Sequence, residues 1–464
     1  MKKENNTERN PILSTTFEKI CFSFGEFGCN LINGIMGFLT LYLTDNVLIS
    51  GAVIGTVTLI SKVLDGGSDI LMGILIEKTR SRFGKARGWI LWMMIPLVVV
   101  FFSLFHIPAG FSHNAKIVYY AIMLIIHFAI TYTAMNMSVM TLFTLMAPDR
   151  ADRNKATAFR TLFAMLASLV PGIITMPLLT AFGGVTSQAA WDKLIISYMI
   201  VVLVCLSICF FGTKEKDLSV LGQKKAESSE KMKEGHSLFE TFKLLIKGKY
   251  FWLAIVMSIT YYMGNSTGGI NVYYARDILG DANLVGVIGI VTLPTMILGA
   301  IISPFWYNRF GKRKTMLIGS IITAAACVVQ FTVASNVALF LLLIAVKGFG
   351  IMLYGSGIGT MPGEIADWSE WKGGQRAEGI TSTLTSFGLK VGSGFGGALV
   401  GWSLAWGNYD GSLAVQPQSA LNAEIMMMIG LPLILAVLQI IPLMLWDMDK
   451  IYPRIMKELK RDEA

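Results

Sequence analysis

Residues 51–102 read GAVIGTVTLISKVLDGGSDILMGILIEKTRSRFGKARGWILWMMIPLVVVFF. An apolar run gives way at Glu77 to a basic hairpin, and a second apolar run begins at Gly88. Each run is long enough to cross a bilayer, whose core of about 30 Å asks for around 20 apolar residues per helix. A soluble domain has no use for two such runs joined by so short a basic loop. The same alternation continues along the chain, with apolar runs expected at 16–43, 51–76, 88–107, 117–146, 155–181 and 190–212, then at 250–276, 284–307, 314–335, 337–366, 376–405 and 421–446.

Composition points the same way. Of the 464 residues, 54% are apolar and only 15% are charged, against roughly 25% charged in soluble domains. The net charge of +9 does not mark a nucleic-acid binder, because the basic residues are spread over loops. The great majority of the 39 Lys and Arg fall in the N-terminal tail, the central linker, the C-terminal tail and every second loop. The opposite loops hold only Lys116, Lys193 and Arg276, at their edges. By the positive-inside rule, both termini are expected in the cytoplasm. The expected organisation is a cytoplasmic tail (1–15), a six-helix bundle (16–212), a cytoplasmic linker (213–249), a second six-helix bundle (250–446) and a cytoplasmic tail (447–464). The N-terminus lacks the short apolar core and cleavage site of a secretory signal. A multi-pass protein of a bacterial inner membrane is expected, with a monomer as the default.

A repeat relates the two halves. Arg82-Phe83-Gly84-Lys85 follows the second run of the first half, and Arg309-Phe310-Gly311-Lys312 follows the second run of the other. Repeated halves in an all-helical membrane protein point to a transporter with its site near the midplane. Cys21, Cys29, Cys205, Cys209 and Cys327 all lie in apolar runs without metal-ligand company and read as small packing residues. His106, His113 and His127 are scattered, which argues against a membrane-embedded enzyme. The pattern GSGFGG at 392–397 matches a dinucleotide fingerprint, but no strand precedes it, and its glycines suit close helix packing instead.

Four basic residues remain inside apolar runs: Lys62, Arg160, Lys347 and Lys390. A charge in hydrocarbon is costly and normally turns toward the bundle interior or a water-filled cavity. Lys62, Asp65 and Asp69 stand at spacings of three and four, on one helical face. Two neighbouring carboxylates repel unless one binds a proton or both share a cation. One lysine neutralises only one of them, so the trio reads as a coupling-ion site, with a plain buried ion pair as the structural alternative. Thr133 and Asn136 lie one turn apart and suit either an oxygen shell, sugar hydroxyls or interhelical bonds. Glu26, Asn30 and Asn33 share the first run, and Asn30 and Asn33 one face of it. Lys390 lies too deep to reach the interface and needs a carboxylate, a polar cavity or a substrate; Thr385 and Ser386 are expected to share its side. Charged residues at 77–87 and 364–378 read either as a solvated face or as a latch of ion pairs.

The motifs FGEFGCN, LYLTD, LDGGSDILMG with TRSRFGKARGWIL, YTAMN, and IADWSEWKGGQRAEGI with SFGLK carry a resemblance over nearly the whole chain. The sequence resembles the glycoside–pentoside–hexuronide:cation symporters of the major facilitator superfamily. That resemblance implies a major facilitator fold of twelve transmembrane helices, with no cofactor beyond a coupling Na+ or H+. It assigns Asp65 and Asp69 to the cation, with neutral oxygens from Ser68 and Thr133. It assigns Asn30, Asn136 and Arg160 to the sugar, and Lys390 to linking the sugar and cation regions. Some members have aspartates at the positions of Asn30 and Asn136, whereas glucuronide and xyloside carriers have asparagine. Met140 stands where a ring-stacking aromatic occurs elsewhere in the family. The expected activity is cation-coupled uptake of a glycoside, pentoside or hexuronide by alternating access. A lipid-type carrier of the same superfamily and a non-transporting sensor are the competing readings.

Overall fold

The computed structural model describes residues 14–147, 150–216, 244–374 and 378–459. Among them every regular element is helical and no strand occurs. Helix α1 (Thr16–Met36) passes through a short turn at Leu39–Leu41 into a π-helical turn, Tyr42–Asn46. Helices α2 (Gly51–Lys78) and α3 (Lys85–Leu104) follow. Next, α4 (His113–Ile126) and α5 (Thr133–Met146) are joined through a π-helical turn at His127–Tyr132. The first half closes with α6 (Arg150–Phe182) and α7 (Gln188–Gly212).

The second half opens with α8 (Lys249–Asn265), a short turn at Ile270–Tyr273 and a π-helical turn at Tyr274–Ile278. It continues with α9 (Leu284–Phe310), α10 (Lys312–Thr332), α11 (Val337–Gly373) and α12 (Glu378–Trp406). Helix α13 (Gln418–Ile425) runs through Met426–Gly430 into α14 (Leu431–Leu445), and α15 (Met448–Glu458) is last.

Among the described residues, nine helical stretches are long and apolar enough to cross a bilayer. The expected runs at 51–76, 250–276 and 376–405 are not among them, each for a physical reason. Helix α2 carries Lys62, Asp65 and Asp69 in its middle. Helix α8 is only 17 residues long and ends at Ser266–Gly269. Helix α12 is diluted by glycine and serine. Helix α15 lies in what sequence suggested was a plain tail. Its Met448 and Ile455 are buried in an apolar cluster with Ile365 and Leu443, while Arg454 and Glu458 pair on its outer side at 2.6 Å.

Both copies of the repeated tetrapeptide do the same job. Gly84 (φ 105°, ψ 178°) precedes α3 and Gly311 (φ 84°, ψ 154°) precedes α10, a backbone region open essentially to glycine alone. A carboxylate covers each helix start. Glu215, just after α7, accepts from the amides of Lys85, Ala86 and Arg87 at 2.9 Å. Asp449, just after α14, accepts from the Arg313 amide at 2.8 Å. Negative charge there satisfies orphan amides and the helix dipole together. The repeat thus extends to an acid that the sequence pattern did not reveal.

The described chain clusters into two compact units: Met1–Met36 with Gly67–Glu234, and Gly37–Gly66 with Gly235–Ala464. In the first, α1 packs along α6 and α7. Gly25 lies tight against Cys209, where a methyl would come within 2.7 Å of the sulfur, and Gly28 faces Cys205, so these buried thiols are packing residues. In the second unit, α8 lies against α12 at Gly388, Gly392 and Gly396; a methyl on Gly396 would meet the Met263 carbonyl at 2.4 Å. The GSGFGG pattern is therefore a helix-packing surface. A second glycine seam holds the N-terminal half of α2 on α12. A methyl on Gly55 would lie 2.5 Å from the Ala398 carbonyl oxygen, and one on Gly401 2.5 Å from that of Gly51.

Gly84→Ala is expected to destabilise the protein by about 1–3 kcal/mol, since alanine can neither hold that backbone nor clear Glu215. Thermal unfolding of the purified protein in detergent should show a lowered midpoint. An unchanged midpoint would mean that the α3 entry is free to rearrange.

Candidate substrate and cation site

A polar strip runs through the first unit. Glu26 sits on α1, one turn before Asn30, with its side chain only 4% exposed. Its Oε1 lies 2.7 Å from Nε of Arg160 on α6. The Asn30 amide donates to the Glu26 carbonyl at 2.9 Å and reaches its carboxylate at 3.4 Å. The Arg160 guanidinium also lies 5.4 Å from the centre of the Phe143 ring on α5. Phe143 follows Asn136 by seven residues, so the two share a face of α5 about 10 Å apart along the axis. Tyr132, four residues before Asn136, accepts a hydrogen bond from Asn33 of α1.

The strip is therefore bounded by Asn33 and Tyr132 at one end and by Glu26, Arg160 and Phe143 at the other. The half-buried Asn30 and Asn136 lie along α1 and α5 between these ends. Amides donate and accept, a hydroxyl does both, and the guanidinium only donates, which is a hydrogen-bonding inventory suited to a polyol. The sequence alone assigns Glu26 no role. Its place four residues before Asn30 was the available signal, but a helical register does not reveal which basic residue of another helix it meets.

The second cluster centres on α2. That helix is unbroken from Gly51 to Lys78, so Lys62, Asp65 and Asp69 do share one face. Within the second unit, Nζ of Lys390 lies 3.5 Å from Oδ2 of Asp65 and donates to the Asp65 backbone carbonyl at 2.8 Å. The side chains of Asp65 and Lys390 are 13% and 23% exposed. Lys62 lies against the same helix, its Cβ 3.1 Å from where a methyl on Gly394 would sit. Lys390 thus has a carboxylate partner. Two lysines, Lys62 and Lys390, thus stand with Asp65 in the second unit.

Ser68 and Asp69 are half-buried in the first unit. There the C-terminal half of α2 packs on α5, with Met72 and Ile76 against Ala134 and Met137. Thr133 is buried next to Ala134, and its hydroxyl donates to the Phe128 carbonyl across the π-helical turn at 2.6 Å. Among the described residues no three His, Cys, Asp or Glu gather as metal ligands, so neutral oxygens would have to complete any cation shell. Thr385 is half-buried on α12. Five residues before Lys390, it stands about 140° round the helix from it, so Ser386 rather than Thr385 is on the lysine's side.

Other singled-out charges have structural partners. Lys347 donates to the Met428 carbonyl at 3.2 Å, in the π-helical turn before α14. Arg276 reaches Asp45 at 2.5 Å and Asp277 at 2.7 Å, and Tyr409 donates to Asp45 at 2.9 Å. Sequence reading missed this cluster because Asp45 and Arg276 are far apart in the chain. Of the expected latch, Glu364 pairs with Lys312 at 2.8 Å and Asp367 accepts from Tyr452 at 2.8 Å. Arg87 donates to the Phe210 carbonyl at 2.7 Å, while Arg376 lies outside the described residues.

Comparison with known proteins places this geometry. Residues 21–450 match the family model described as MFS/sugar transport protein. The chain is 28% identical to the isoprimeverose transporter of Lactiplantibacillus pentosus over 96% of this chain and 92% of that one. It is 27% identical to an inner membrane symporter of Escherichia coli (strain K12), over 90% and 88%. A bacterial homologue of the human lysosomal transporter Spinster, solved inward-facing, shares the fold with a TM-score of 0.67 at 12% identity, covering 95% of this chain and 99% of that one. The chain belongs to the MFS/sugar transport protein family and is a multi-pass plasma-membrane transporter rather than an enzyme.

Proposed function

We propose that this protein is a secondary transporter that takes up a glycoside together with Na+ or H+ by alternating access. In this reading twelve helices span the inner membrane as two six-helix halves, 16–212 and 250–446, with both termini in the cytoplasm. The observation that carries the proposal is the Lys390–Asp65 pair, held between α2 and α12 well inside both helices. A protein that only needs to fold gains little from such a pair, because desolvation offsets most of the Coulomb attraction. A carrier gains a switch: cation and ammonium compete for one carboxylate.

Asp65 and Asp69 bind the coupling ion, and Ser68 and Thr133 supply neutral oxygens. The entering cation displaces Lys390 from Asp65. The lysine then re-pairs with the polar environment of the loaded carrier, which links ion occupancy to the sugar strip. Asn30, Asn136 and Arg160 hold the sugar hydroxyls. By linkage, whatever factor the cation adds to sugar affinity, sugar adds to cation affinity. Glycosides are favoured over lipids because the strip presents amides, hydroxyls and a guanidinium rather than an apolar channel. The name of the isoprimeverose transporter makes a xylose-containing disaccharide the first substrate to try.

The test is uptake of labelled isoprimeverose, other glycosides and glucuronides into membrane vesicles, with and without an inward Na+ or proton gradient. Gradient-driven accumulation of one sugar is the expected result. Accumulation of none under either gradient would sink the proposal.

Asp69→Asn should abolish gradient-stimulated uptake, a loss of at least about tenfold, because a neutral amide cannot share a cation with Asp65. Stimulation that survives would remove Asp69 from the ion site. Lys390→Gln should separate the two fluxes: sugar exchange across the membrane persists while accumulation against a gradient falls. Full accumulation by this variant would show that the lysine takes no part in coupling.

A further inference from the structure

We infer that Glu26 fixes the charge class of the substrate, by neutralising Arg160 so that the strip accepts an uncharged glycoside and excludes a sugar acid. The inference rests on the reading of that strip as the sugar site and goes beyond it. Arginine stays protonated in any protein environment. A guanidinium standing alone in a polar strip would recruit a carboxylate or sulfonate, the anions its planar fork fits best. Here that role is already filled from within the chain. Oε1 of Glu26 lies 2.7 Å from Nε of Arg160.

The two partners differ in exposure. Glu26 is 4% exposed and Arg160 28%, so the acid lies behind the guanidinium and is not displaced by solvent. The strip therefore offers N–H donors without a free positive charge. A second anion approaching Arg160 would put two carboxylates on one cation, where like charges disfavour the ionised forms. Asn30 strengthens the bias. Its amide nitrogen is committed to the Glu26 carbonyl and carboxylate, at 2.9 Å and 3.4 Å. What it has left to offer a ligand is its carbonyl oxygen, an acceptor that welcomes a hydroxyl and repels an anionic oxygen. The signal is specific to this site: Lys19, nearer the start of α1, is matched with Asp152 and takes no part.

The experiment compares two probes that differ only in the substituent on C5 of the ring, a hydrogen in 4-nitrophenyl β-D-xyloside and a carboxylate in 4-nitrophenyl β-D-glucuronide. Their binding to purified protein would be measured by calorimetry at saturating Na+ and pH 7. The wild type is expected to prefer the xyloside. Glu26→Gln should unmask Arg160 and move the preference toward the glucuronide by about tenfold or more. Glu26→Asp, which keeps the charge, should retain the wild-type preference. Glu26→Gln with Arg160→Gln removes both charges together, so it avoids a buried unpaired ion, and should lose the gained glucuronide binding.

A wild type that binds the glucuronide at least as tightly as the xyloside would overturn the inference. So would a preference that does not move in Glu26→Gln or in the double variant. Either result leaves the sugar-site reading standing. Binding of neither probe to any of the four proteins would overturn that reading, and the inference with it.

Discussion

A charge placed among apolar helices must be met by an opposite charge or by a backbone dipole, and this constraint organises the interior of the molecule. Even a single ion at the centre of a membrane helix costs about 2.5–3.5 kcal/mol on insertion scales. Three of the basic residues inside apolar runs show such a partner. Arg160 pairs with Glu26 and Lys390 with Asp65, while Lys347 takes the Met428 carbonyl. Arg276 has two aspartates. These pairings fall into two kinds. Lys347 ends on backbone, and Arg276 ends in a cluster with Asp45, Asp277 and Tyr409. Arg160 and Lys390 end on carboxylates next to residues that can also hold a sugar or a cation.

Small residues are what let the partners meet. Lys390 reaches Asp65 because α2 lies on α12 through Gly51, Gly55 and Gly401, where backbone approaches backbone. Larger side chains there would hold the helices apart and leave both charges unpaired. In the other unit α1 meets α6 and α7 through Gly25, Gly28 and Gly34, the last with Pro171 directly against it. That contact sets Glu26 opposite Arg160. At these positions glycine acts by close approach, whereas at Gly84 and Gly311 positive φ values demand it.

Much of this was legible in the sequence. Hydropathy marked the apolar runs because bilayer thickness dictates their length; most helix ends lie within a few residues of them, but α8 stops at Asn265 and α11 runs on to Gly373. The α2 trio was visible because a helix places i, i+3 and i+7 on one face whatever surrounds it. Partners contributed by other helices were not visible. The pairing of Glu26 with Arg160, the approach of Lys390 to Asp65, and the Asp45–Arg276–Tyr409 cluster all depend on which helices are neighbours, and no local period encodes that. The second lysine beside Asp65 was hidden for the same reason, since it arrives from residue 390. Thr385 was grouped with Lys390 by proximity in sequence, where helical phase sets them on different sides. The acids over Gly84 and Gly311 were likewise hidden, because Glu215 and Asp449 come from the far end of each half.

The central claim is that one carboxylate, Asp65, is contested by Lys390 and by a coupling cation, and that this contest ties ion binding to sugar binding. It is tested most directly by reciprocal titration on the purified protein: sugar affinity with and without saturating Na+ at fixed pH, and Na+ affinity with and without saturating sugar, repeated across pH for a proton. The account predicts that one of the two ions tightens sugar binding, that sugar tightens that ion's binding by the same factor, and that Asp65→Asn removes both effects. Sugar affinity indifferent to both Na+ and pH, or a coupling that survives in Asp65→Asn, would contradict it.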